Sequence, residues 1–204
     1  GTGIVGNFFN NEKTKIYVND LLKSNYLSYL AWFGNESIDK KKIKLYIEKY
    51  NNLTELEENY FSINFADTYF SKENCKKIGF IREDIENNYM NNLLNSRERA
   101  VLITSLLYSM DKIANTVGHY DAYRKNGTLE KKLEMCMLDL KSNTNNKNNK
   151  IFNEDSNELV KNIKTDIVYI DPPYNSRQYS DAYHLLENVA TWEKQEVFGV
   201  AKKM

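Results

Sequence analysis

The chain contains two prolines, and they stand together as Pro172-Pro173, directly after the apolar run Ile167, Val168, Tyr169 and Ile170. Such a run reads as a buried strand. A double proline at its end offers no backbone donors and holds a rigid, extended turn. Asp171 precedes the prolines and Tyr174 follows them. An acid, a fixed turn and an aromatic ring therefore meet at the carboxyl end of a strand, where open α/β sheets bind their ligands.

The rest of the chain agrees with a sheet of that kind. Lys15, Ile16, Tyr17 and Val18 make a short β-prone run, followed by Asn19-Asp20 and a periodic apolar stretch over 21–33. A second strand is predicted at Lys150-Ile151-Phe152-Asn153, a short helix over 156–163, a buried strand over 166–171 and a helix over 181–192. Between these ends, residues 36–115 are helical in pattern. Ile43, Tyr46, Ile47 and Tyr50 repeat at three and four, while Ser71 and Ser96 stand where two further helices need N-caps. Strand–helix alternation at both ends and a helical middle predict a parallel α/β sheet interrupted by an insertion. Gly118-His119-Tyr120-Asp121-Ala122-Tyr123 breaks the pattern as an irregular loop, and the asparagine-rich stretch 142–150 reads as a mobile surface loop.

Composition narrows the function classes. Lys+Arg and Asp+Glu both number 28, so no global basic field announces a polyanion partner, although a local basic groove is compatible with that balance. Cys75 and Cys136 have no companion at zinc spacing, which fits a reduced, intracellular protein. No stretch is long and apolar enough to span a bilayer, no signal peptide is present, and a cytoplasmic protein without membrane contact is expected. His119 and His184 are the two histidines; neither sits in a ligand cluster, so no metal is expected, and His184 reads as an ordinary helix residue. The chain opens on a glycine loop without a strand before it and stops at Ala201-Lys202-Lys203-Met204 without a closing element. It reads as a fragment, and weak or no activity is expected of these 204 residues alone.

The turn at Asp171 suits one kind of chemistry. The Asp171 carboxylate can accept one hydrogen of an amine and the Pro172 carbonyl another, which draws the nitrogen toward tetrahedral geometry and frees its lone pair. Pro173 completes the rigid turn, and Tyr174 offers a face on which an extruded base can stack. Stacking of about 1–3 kcal/mol per base is comparable with an unpairing cost of roughly a few kcal/mol. The spacing Gly1-x-Gly3-x-x-Gly6, with Asp20 further on, also fits a dinucleotide fingerprint and by itself leaves a dehydrogenase open; the Asp171 turn speaks against that.

Asp171-Pro172-Pro173-Tyr174, the block Asn175-Ser176-Arg177-Gln178-Tyr179-Ser180-Asp181-Ala182-Tyr183-His184-Leu185-Leu186-Glu187-Asn188, the glycines 1–6, Asn19-Asp20-Leu21 and residues 115–121 together resemble the D12 class of DNA adenine-N6 methyltransferases. The match is weakest over 36–95. The resemblance implies a Rossmann-like, class I S-adenosylmethionine-dependent core with a helical insertion. Residues 1–35 would be the N-terminal part of the cofactor-binding core, 36–149 a mainly helical target-recognition insertion, and 150–204 the catalytic part. It further implies methyl transfer from S-adenosylmethionine to a flipped adenine in double-stranded DNA, with a cognate restriction endonuclease as a partner.

Site roles follow from the same resemblance. Asp171, Pro172, Pro173 and Tyr174 are the catalytic candidates. Gly1, Thr2, Gly3, Asp20, Asp155 and Asp171 are the cofactor candidates. For Asp20 the choice lies between ribose hydroxyls and an N-cap, and for Asp155 between the cofactor adenine and an N-cap. Arg177, Tyr179, His119, Tyr120 and Arg124 are candidates for DNA contact. Lys76, Lys77, Arg82, Arg97 and Arg99 are either phosphate contacts or solvated charges. Cytosine N4, an RNA base or a protein glutamine as methyl acceptor, and a non-catalytic DNA-binding remnant, stay open as alternatives.

Overall fold

A computed structural model describes residues 3–142, 144–172 and 179–203. Within them run α1 (Ile4–Phe9), β1 (Tyr17–Asn19), α2 (Lys23–Phe33), α3 (Lys40–Asn51), α4 (Tyr60–Phe65), α5 (Lys72–Met90), α6 (Ser96–Ile113), β2 (Lys150–Phe152), α7 (Ser156–Leu159), α8 (Tyr179–Ala182) and α9 (His184–Thr191). The strands β1 and β2 pair in parallel, with Val18 opposite Ile151. The whole helical stretch lies between them in sequence, so the structure is a mixed α/β arrangement around a small parallel sheet.

The helices form where their caps allow. Asp39 caps α3 through the amides of Lys41 and Lys42, and Ser71 caps α5 through Asn74, as its sequence suggests. The expected cap at Ser96 falls one residue earlier. Asn95 accepts from the Glu98 amide while the Glu98 carboxylate accepts from the Asn95 amide, a closed capping box. Ile43, Ile47, Tyr50, Phe61, Phe65, Ile78, Ile81, Ile85, Val101 and Leu102 lie in one apolar core that also takes in Leu27 and Ala31 of α2 and Leu185 and Val189 of α9. The helices of the middle stretch thus share their interior with elements from both ends.

Two expectations are corrected. The asparagine-rich stretch does not hang loose: Asn146 is buried and donates to the carbonyls of Trp32 and Gly34 while accepting from Asn10 and Asn149. Asn149 in turn accepts from the Ile16 amide beside β1. An asparagine carries donors and an acceptor on one short arm, so a run of them can stitch backbones that have no ladder; Asn143 lies outside the described residues. The second correction concerns 166–171, where no strand forms. Ile167 is 85% exposed and Ile170 76%. A central parallel strand needs hydrogen-bonded neighbours and covered faces, and among the described residues the β1–β2 pair does not provide them.

Candidate functional site

Asp20 follows β1 directly, at the strand's carboxyl end, and its carboxylate is held in a fixed orientation. Oδ1 accepts from the Leu22 amide at 2.9 Å, and Oδ2 accepts from Asn25 Nδ2 at 3.0 Å and from the Tyr29 hydroxyl at 3.4 Å. The expected N-cap role is only partly met. The helix starts at Lys23 with Leu22 at its N-cap position, so Asp20 closes the turn ahead of it. Asp20 is half-buried and keeps one flank toward solvent.

Tyr29, on the buried face of α2, is the residue that sequence reading missed. Its hydroxyl meets Asp20, and its ring lies under Gly3. That glycine has φ of 78°, in the left-handed region, and a Cβ there would come within 3.1 Å of the Tyr29 ring. Glycine is therefore required twice at this position, for conformation and for space. Burial first, then the carboxylate of Asp20 and after it the charge of Asp171, hold the Tyr29 phenol above its ordinary range. Gly3 and Asp20, both candidates from the sequence, thus meet on one side chain. Gly6 serves packing, since a Cβ there would meet Phe33 at 3.1 Å and Val18 at 3.3 Å.

Asp171 and Pro172 are both exposed. Pro173, Tyr174 and Arg177, as well as Gly1 and Thr2, lie outside the described residues; Tyr179 is described only as the first residue of α8. Asp155 follows β2 and caps α7, its Oδ1 accepting from the Asn157 amide at 2.7 Å. It is exposed at the carboxyl end of its strand, the same edge that carries Asp20.

The irregular loop over 118–123 is anchored to α8. The Tyr120 amide donates to the Ala182 carbonyl, and the Tyr69 hydroxyl donates to the Tyr120 carbonyl at 2.6 Å. The Tyr120 side chain is 1% exposed, stacked near Tyr69 and hydrogen-bonded to Asp111. As a buried ring it supports the loop from below, which corrects the expectation that it touches DNA. His119, half-exposed beside Asp121, and Arg124, exposed, are on the surface of that loop. Several expected phosphate contacts also turn inward. Arg82 is fully buried, with Nε on the Val189 carbonyl and Nη1 on Glu86. Arg97 donates to the carbonyls of Ala31 and Glu36, Arg99 forks onto Glu86, and Lys77 donates to the carbonyls of Asn51 and Leu133. Lys76 lies beside Glu73.

His184, read from sequence as an ordinary helix residue, is buried at the start of α9. Its Nδ1 faces the Asp181 carbonyl at 3.0 Å and its Nε2 the Ala201 carbonyl at 2.9 Å, and burial lowers its pKa. No group of three or more His, Cys, Asp or Glu suited to a metal ion occurs among the described residues. No helix among them is long and apolar enough to cross a membrane.

Comparison with known proteins gives a consistent answer. The profile of a family described as D12 class N6 adenine-specific DNA methyltransferase matches residues 1–203. Modification methylase StsI of Streptococcus sanguinis is 40% identical over 214 residues, covering 99% of this chain and 33% of that protein. Type II methyltransferase M.FokI of Planomicrobium okeanokoites is 36% identical over 98% of the chain and 33% of its own length. Type II methyltransferase M.NlaIII of Neisseria lactamica is 33% identical over 95% of the chain and 59% of its own length. The chain spans about a third of the length of the first two. No solved structure matches it.

Proposed function

This chain belongs to the D12 class of N6 adenine-specific DNA methyltransferases, and from that premise we propose that it carries the reaction site of an enzyme that methylates adenine in a specific DNA sequence, as the modification arm of a restriction–modification system. The observation that carries this reading is the family match over residues 1–203, supported by the packing of Gly3 and Asp20 against Tyr29 at the carboxyl end of β1.

The residues present suit S-adenosylmethionine. A half-exposed aspartate at a strand's carboxyl end, oriented by three donors, matches ribose hydroxyls, and the glycine turn packed on Tyr29 carries no side chain that could stand between its backbone and a ligand. Gly1 and Thr2 join Gly3 in binding the cofactor on this reading, and Asp155, at the carboxyl end of β2, takes its adenine. When bound, the cofactor supplies a methyl group on an electrophilic sulfonium. The parallel β1–β2 pair, with α1 and α2 beside it, fits one part of a Rossmann-like sheet.

Asp171 and the Pro172 carbonyl accept the two hydrogens of the adenine amine, so that its lone pair leaves conjugation with the ring. Pro173 holds the turn, and Tyr174 stacks the flipped base. His119, Arg124, Arg177 and Tyr179 contact the target strand on this reading. Catalysis on this reading comes from positioning two groups in line.

The test uses the full-length protein that contains this chain, with duplex DNA and S-adenosylmethionine, and analyses the nucleosides released from the product. N6-methyladenine is expected, and Asp171→Ala should lower kcat by on the order of 10²–10³. N4-methylcytosine, or an Asp171→Ala variant as fast as the parent, would overturn the reading.

A further inference from the structure

Helix α2 has no cap of its own. The residue at its N-cap, Leu22, has no side-chain acceptor, and no capping side-chain bond is made there. The first amides of a helix lack intrahelical partners and must find acceptors elsewhere. Here they find two carboxylates, one local and one from a distant part of the chain. Asp20 takes the Leu22 amide. Glu187, 164 residues beyond Lys23, takes the next two: Lys23 N donates to Oε2 and Ser24 N to Oε1, each at 2.8 Å.

Glu187 lies in the first turn of α9, which follows α8 on the carboxyl-terminal side of Asp171. A side chain from the part of the sequence beyond Asp171 therefore caps the helix that carries Tyr29 and begins three residues after Asp20. Two oxygens on two consecutive amides fix a rotation as well as a distance, which a single bond would not. The bonds are charge-assisted, and the negative group sits on the positive end of the helix. At the far end of α9, Arg82 of α5 donates to the Val189 carbonyl at 2.7 Å and its guanidinium lies 5.5 Å from the Trp192 ring. α9 is thus gripped at both ends, and Glu187 joins it to the start of α2.

We propose that Glu187 is a positioning residue: by capping α2 from α9 it holds Asp20 in register with the chain that carries Asp171, and hence aligns methyl donor and acceptor amine. The proposal rests on the methyltransferase reading above. Binding of the cofactor or of DNA engages one side of this joint at a time, whereas transfer needs both in register. Loosening the joint therefore affects the transfer step most.

In the full-length protein, Glu187→Gln keeps the size of the side chain but loses its charge and one acceptor. Its kcat should fall by on the order of 10²-fold, with KM for S-adenosylmethionine and for DNA changed less than about threefold, and amide exchange at Lys23 and Ser24 should accelerate. Adding Leu22→Asp to that variant supplies a local cap. Slow exchange and the parent melting temperature should return, while kcat should stay low. Recovery of kcat with the local cap would make Glu187 an ordinary helix cap and overturn the proposal, as would a Glu187→Gln variant with parent kcat. A full-length parent that methylates no adenine would sink the functional reading instead. The joint is then read from exchange alone, and unchanged exchange in Glu187→Gln would overturn it.

Discussion

Two isoleucine-rich stretches of this molecule meet opposite fates. On α5, Ile78, Ile81 and Ile85 are sealed in the core, while Ile167 and Ile170, just before the Asp171 turn, stand in solvent. The difference lies in what each kind of element needs from its surroundings. A helix satisfies its own backbone and asks its neighbours only for side chains, which α4, α6 and α9 provide. A parallel strand needs another backbone beside it and cover on both faces. The helical middle is closed by the described residues; the approach to the reactive turn is not.

The largest effect that separates the two regions comes from the core. Phe61→Ala, which empties a site between Phe65 and Phe70, should cost about 3–5 kcal/mol of stability, read from urea unfolding of the 204-residue chain. A cost below about 1 kcal/mol would mean that the helices are no better closed than 166–171. Next comes His184. A neutral imidazole has one N–H, yet both nitrogens face carbonyls, and burial holds its folded pKa below the unfolded value of about 6.5. The unfolded chain therefore takes up the proton first on acidification. Stability is full above about pH 6.5 and declines as the pH falls toward the folded pKa, so Tm should drop across that window. His184→Gln should flatten this slope, and a slope that survives the substitution would place its cause elsewhere. The smallest effect is expected at Ile167→Ser, within about 0.5 kcal/mol of the parent in the isolated chain. A loss as large as that of Phe61→Ala would break the comparison.

Local features were legible in the sequence and distant ones were not. Ser71 announced α5, the periodic 21–33 stretch announced α2, and Gly3, Asp20 and Asp171 each belong to a short pattern that reads without neighbours. Tyr29 and Glu187 carry no local signal. Tyr29 looks like any residue on the apolar face of a helix, and Glu187 acquires its role from amides 163 and 164 residues away. The one available hint was negative, a helix whose N-cap position holds leucine. The extended segment around 131–140 also escaped notice. Leu133, Met135, Leu138 and Leu140 are buried between exposed neighbours as in a strand, but its partners are side chains. Asn74 binds the Lys131 carbonyl and the Leu133 amide, and Asn51 binds both backbone groups of Met135. Such pairing has no period along the chain. The strand over 166–171 fails for the reverse reason: its pattern is clear, but a pattern cannot provide the backbone that must lie next to it.

The buried guanidinium of Arg82 has a consequence for anyone grafting the helical middle of one relative onto another. It spans the seam between α5 and α9, with its Nη2 otherwise lacking a partner. A chimera cut on either side of that seam would leave either a cation enclosed without its carbonyl or an indole without its cation. Swaps that carry Arg82, Glu86 and Trp192 as one block should fold, and those that divide them should aggregate.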